Sequence, residues 1–96
     1  MGKLVWTNES ERWLRDIYDY ISADNPVAAA KVVSGIYDRA QTLLDFPESG
    51  YRYLASSEDV RILLYGHYRI AYQLNGDDII ILGVFHGALA IERYLI

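Results

Sequence analysis

From Val60 to Gly87 the chain reads VRILLYGHYRIAYQLNGDDIIILGVFHG, and this stretch limits the fold more than any other. Val60–Tyr65, Tyr68–Leu74 and Ile79–His86 are rich in β-branched and aromatic residues. Gly66-His67 and Asn75-Gly76 interrupt them, so three consecutive antiparallel strands are expected. The residues best equipped to bind charge or move a proton, Arg61, Arg69 and His86, all lie within these strands.

Register decides which of these residues share a face, because a slip of one residue exchanges the two faces of a strand. Asn75-Gly76 suits a type I′ hairpin turn and sets Tyr72 opposite Ile79, Ile70 opposite Ile81 and Arg69 opposite Leu82. One face then carries Tyr68, Ile70, Tyr72, Ile79 and Ile81; the other carries Arg69, Ala71, Gln73, Ile80, Leu82, Val84 and His86. A two-residue turn at Gly66-His67 would bury the Arg61 guanidinium beside Ile70 without an evident partner, a costly arrangement. A three-residue loop avoids this: it groups Val60, Ile62 and Leu64 with Ile70 and Tyr72 under the helices, and sends Arg61 and Leu63 to the Arg69 face. Leu63, Ile80, Leu82 and Val84 on that second face are each worth about 1.5–3 kcal/mol if fully buried. The face therefore calls for a partner, or for the tail Ala88–Ile96 folded back over it.

Upstream, Lys3–Trp6 reads as a short strand, and Asn8 with Glu11 as a helix-opening pair. Trp13, Leu14, Ile17, Tyr18 and Ile21 follow at helical spacing, with a stop near Ala23. Asn25-Pro26 places an N-cap before a proline at the first helical position, and an apolar stripe runs from Ala29 to Leu44 before Phe46-Pro47 ends it. The short link makes the two helices an antiparallel hairpin. A further short edge strand is expected over Tyr51–Leu54. The fold class is α+β: an antiparallel sheet with an N-terminal strand and a helical hairpin on one face, in the order β-α-α-β-β-β.

Composition narrows the function classes. Ninety-six residues suffice for one domain, residues 1–96, and the nine tyrosines suit interfaces and the rims of small cores. With no cysteine and two histidines far apart, neither a disulfide framework nor a structural zinc site is expected, and no cofactor motif is present. His67 reads as a solvated turn residue and Asp77-Asp78 as turn chemistry. A net charge of −4 argues against broad attraction to nucleic acid, and the excess acid sits in residues 1–50, which carry five basic and eight acidic side chains. No apolar stretch approaches membrane-spanning length, so a cytoplasmic protein is expected.

The order of a strand, a helical hairpin opened by Asn25, Pro26, Ala28 and Ala29, a Phe46-Pro47 ending, YRIAY at Tyr68–Tyr72 and VFHGA at Val84–Ala88 resembles the ParE/RelE toxin superfamily of type II toxin–antitoxin systems. The NPxAA helix start and the HGA turn resemble the ParE branch, which implies a plasmid-stabilisation toxin that binds DNA gyrase and is neutralised by a cognate antitoxin. The implied assemblies are a homodimer or a heterotetramer with that antitoxin, without membrane contact or sequence-specific nucleic-acid binding. The expected partner-binding residues are those of the second sheet face and the tail: Arg61, Leu63, Arg69, Leu82, Val84, His86, Arg93 and Tyr94. The RelE branch implies a different chemistry, ribosome-dependent mRNA cleavage, for which Arg61 and Arg69 would stabilise charge and His86 would serve as acid or base. Leu63 stands where that branch has a second basic residue, and Leu89 and Ala90 follow HGA where relatives often carry Arg and Asp. A third reading is a toxin-like module that only binds an antitoxin.

Overall fold

The computed structural model describes residues 2–54 and 58–87. Strand β1 (Leu4–Trp6) leads into helix α1 (Asn8–Ser22), helix α2 (Pro26–Gln41) and a 3-10 turn over Thr42–Leu44. Four strands follow: β2 (Tyr51–Arg52), β3 (Val60–Tyr65), β4 (Tyr68–Asn75) and β5 (Asp78–His86). They form one sheet in the order β1-β5-β4-β3-β2, in which β1 runs parallel to β5 and the other neighbours are antiparallel.

Both helix starts have local causes. Asn25 caps α2 by accepting the Ala28 N–H at 3.1 Å, with Pro26 at the first helical position as its missing donor allows. The α1 cap is Thr7, one residue before the expected Asn8: its hydroxyl accepts from Ser10 N–H at 3.1 Å and donates to the Ile81 carbonyl at 2.8 Å. That second bond ties the cap to β5, a preference no local pattern displays. Glu11 does not return to the cap. It accepts the Tyr37 hydroxyl at 2.9 Å and joins the two helices, while the Tyr37 ring packs on Trp6 of β1 with centroids 4.6 Å apart.

This contact makes the fold sensitive to alkali. Burial first, then the hydrogen bond to Glu11 and its charge, push the Tyr37 hydroxyl from 10.0 up to about 12. Between these values the unfolded chain has lost a proton that the folded chain keeps, so the stabilisation is complete below pH ~10 and is lost as pH rises to about 12. Tyr37→Phe should flatten stability against pH in this window, as measured by urea unfolding at pH 9 to 11.5.

Two hairpins set the sheet's faces, and both correct the expected register. Tyr65 pairs with Tyr68, so Gly66-His67 is a two-residue turn, with Gly66 at φ 56°. Arg61 therefore lies opposite Tyr72 and Leu63 opposite Ile70, on the helix-covered face, while Val60, Ile62 and Leu64 take the other. In the second hairpin Asn75 pairs with Asp78, which makes Gly76-Asp77 the turn. Gly76 alone has positive φ, 61°, as a type II′ turn asks, where type I′ would require two such residues.

The displacement moves the expected pairs by two residues, setting Tyr72 opposite Ile81, and leaves Ile79 and Ile81 facing the helices. A bulge at Leu82 then reverses the alternation: Ile70 pairs with Val84, Arg69 with Phe85 and Tyr68 with His86. Val84 and His86 thus move to the helix side, contrary to the simple alternation. At Gly83 an added Cβ would lie 2.7 Å from the Phe85 ring, so the missing side chain makes room for it.

The main core lies between helices and sheet, where Leu14, Ile36, Ala40, Leu43, Leu63, Ile70, Tyr72, Ile79, Ile81 and Val84 are buried together. The second face is covered as well: Ile62, Ala71 and Phe85 are buried there, with Tyr53, Leu82 and Trp13 packed around them. Self-coverage by Ala88–Ile96 lies outside the described residues, as do Arg93 and Tyr94.

Candidate functional site

The expected grouping of Arg61, Arg69 and His86 is not formed. Arg61 lies under the helix side at the β2 end of the sheet, with its side chain 13% exposed. Its Nη1 donates to the Gly50 carbonyl at 3.3 Å, and its charge faces Glu48 at 3.6 Å and Asp59 at 3.7 Å. The guanidinium excluded on grounds of cost thus has partners, supplied by the loop before β2 and by the residue preceding β3. Tyr72 holds the same loop: its hydroxyl accepts from Gly50 N–H at 2.9 Å and donates to the Pro47 carbonyl at 2.8 Å. Arg61 is therefore placed to anchor this loop.

Of the other sequence-predicted residues, Leu63 is 1% exposed and Val84 is fully buried, both in the main core. Leu82 is half-buried at the bulge. Arg69 lies on the second face opposite Leu64 and Phe85, and has no ion pair among the described residues.

A different cluster forms at the end of the sheet where the β3–β4 turn meets the end of β5. Because Tyr68 pairs with His86, the turn residue His67 comes beside the last strand residue. The His67 and His86 rings stack with centroids 6.2 Å apart, Tyr68 meets His86 edge-on at 5.5 Å, and Gly87 N–H donates to the His67 carbonyl at 2.6 Å. Leu64, Arg69 and this His pair line a concavity of about 290 Å³. His67 is exposed in its turn, as expected, and its ring also meets His86. The two-residue turn, which replaces the expected three-residue loop, is what sets it against β5.

On the helix side, Tyr68 and His86 also border a second groove of about 400 Å³ against α1. Trp13, Asp16, Ile17 and Tyr20 project into it from one stripe of that helix. Burial, followed by the neighbouring Tyr20, raises the Tyr68 hydroxyl above its ordinary range. Among the described residues no group of three or more potential ligands is placed to hold a metal ion.

Against this geometry, the family model for the ParE toxin of the type II toxin–antitoxin system parDE matches residues 4–90. The chain belongs to the ParE toxin family. A Sinorhizobium fredii protein named "Putative toxin Y4kP" is 34% identical over 84 residues, spanning 88% of this chain and 86% of that one. A chain of the chromosomal ParDE system from P. aeruginosa superposes with a TM-score of 0.76 at 26% identity, covering 90% of this chain and 96% of its own length. The RelBE2 toxin–antitoxin complex of Mycobacterium tuberculosis contributes a chain with a TM-score of 0.56 at 21% identity, covering 88% and 95%, which is likeness of fold. The membership joins the ParE features of the sequence, the Asn25-Pro26 helix start and the Val84–Gly87 strand end, to the observed α+β fold. Among the described residues, no helix is long and apolar enough to cross a membrane.

Proposed function

We propose that this ParE-family chain acts in the cytoplasm as a toxin that binds DNA gyrase without catalysis and is neutralised by a cognate antitoxin. The observation that carries this over RNA cleavage is the separation of the two arginines: Arg61 and Arg69 lie on opposite faces of the sheet and cannot grip one phosphate together. Leu63, at the remaining position where the RelE branch is basic, is sealed in the core. The grooves around Tyr68 and His86 offer aromatic and apolar surface of the kind protein partners use. The antitoxin partner is supported by the ParDE and RelBE2 relatives, whose own descriptions are of toxin–antitoxin systems. Leu63 and Val84 enter partner binding by shaping this end of the fold, Arg61 by anchoring the loop before β2 at the other end, and Arg69, Leu82 and His86 by contact.

Induced expression tests the reading. Growth should stop with plasmid DNA relaxed and mRNA intact, and co-expression of the neighbouring antitoxin gene should restore growth. Absence of arrest, with antitoxin bound, would identify a binding module instead.

One observation favours a second reading, the stacked His67–His86 pair beside Arg69. Two imidazoles could divide the proton acceptance and donation of RNA cleavage, with the guanidinium against the developing phosphorane charge. Cleaved mRNA after induction, abolished by His86→Ala, would establish it.

A further inference from the structure

The groove between α1 and the β4–β5 end combines three features that together specify a ligand. Its lining is rich in aromatic rings: Trp13, Tyr20, which is 83% exposed, and Tyr68, together with His86. Ile17 and Val84 add aliphatic lining. Its polar edge is the Asp16 carboxylate, exposed and without an ion pair or hydrogen bond among the described residues. The nearby cations of α1 do not neutralise it, since Arg12 faces Glu9 at 3.7 Å and Arg15 lines the opposite groove with Glu11 and Tyr37.

Aromatic faces attract cations through their quadrupole, and a carboxylate beside them adds directional charge. A guanidinium suits such a box better than an ammonium, because it is planar, stacks on rings and is weakly hydrated. We propose that this groove receives an arginine side chain carried on an otherwise apolar segment of the antitoxin. The inference rests on the antitoxin reading above and adds the chemistry by which the partner is held.

The pocket can be tested before the partner is in hand. Isotopically labelled full-length protein is titrated with L-arginine amide and, in parallel, with L-citrulline amide, which keeps the shape and the α-ammonium and lacks the guanidinium charge. Arginine amide should shift the backbone signals of Asp16, Ile17, Tyr20 and Tyr68 in a saturable way. Asp16→Asn and Tyr20→Ala should each weaken that binding by about threefold or more, in keeping with one exposed charge or ring contact. Equal shifts from citrulline amide, or an unchanged Asp16→Asn, would overturn the proposal. Because Asp16 is exposed and unpaired, its replacement leaves the fold intact, which circular dichroism checks.

The purified product of the neighbouring antitoxin gene then separates the two layers. Asp16→Asn should bind it at least tenfold more weakly, and with less dependence on salt, than the wild type. Tight binding by both overturns the arginine pocket and leaves the antitoxin reading standing; no binding by the wild type overturns that reading and, with it, the assigned occupant. If Arg93→Gln in the full chain strengthens arginine-amide binding, the chain's own Arg93 is the competing occupant. A dimer in sedimentation that Asp16→Asn dissolves assigns the groove to a second copy. Either result overturns the partner assignment.

Discussion

Tyr72→Ala is expected to destabilise the protein by about 3–5 kcal/mol, the usual cost of truncating a large buried aromatic. The ring is fully buried in the main core, and its hydroxyl holds two backbone groups of the loop before β2, Gly50 N–H and the Pro47 carbonyl. With total stabilities of small domains near 5–15 kcal/mol, such a loss leaves little folded margin. Tyr72→Phe separates the contributions. It keeps the ring and strands two polar groups, which costs about 1–3 kcal/mol. Gly50 explains why the loop must approach so closely: a Cβ there would come within 2.7 Å of the Tyr72 ring and 2.8 Å of the Ile62 carbonyl. Urea unfolding checks the series, and a Tyr72→Ala midpoint equal to the wild type would show that the loop is not held by this residue.

Leu63→Lys should be comparably severe, because it tests the register itself. In the observed two-residue turn, Leu63 is 1% exposed beneath the helices, opposite Ile70. An ammonium there loses its hydration without a partner, at a cost of several kcal/mol. In the three-residue alternative the same lysine would lie beside Arg69 on the second face and cost little. Unfolding of Leu63→Lys together with near-native stability of Arg69→Ala supports the two-residue turn, whereas a stable Leu63→Lys would contradict it. The variant also bears on function, since it places a basic residue where RNA-cleaving relatives carry one.

These two residues show what the sequence could and could not convey. The three long strands were legible from β-branched and aromatic runs between turn residues, and the start of α2 from Asn25-Pro26, because each signal is local. The side on which Arg61 lies was not. Its acceptability depends on Gly50, Glu48 and Asp59, and Gly50 is eleven residues away in sequence. The Leu82 bulge was hidden for a related reason: only the pairing of Ile70 with Val84, across the sheet, fixes its position. Thr7 displaced Asn8 as the cap because its hydroxyl also reaches Ile81 across the fold.

The candidate site followed the same division. The residue types were visible, but their grouping depended on register, so Arg61 left the expected cluster and His67 entered the observed one. The α1 stripe of Trp13, Asp16, Ile17 and Tyr20 shows in the sequence only through Trp13 and Ile17, which belong to the helix's apolar spacing. It became a groove only when Tyr68 and His86 were brought opposite it.

The most direct test of the central claim is the supercoiling of relaxed plasmid by purified gyrase and ATP, with rising amounts of the full-length protein. Inhibition of supercoiling that is reversed by the antitoxin is the predicted result. Undiminished supercoiling, together with cleavage of ribosome-bound mRNA by the same preparation, would contradict it.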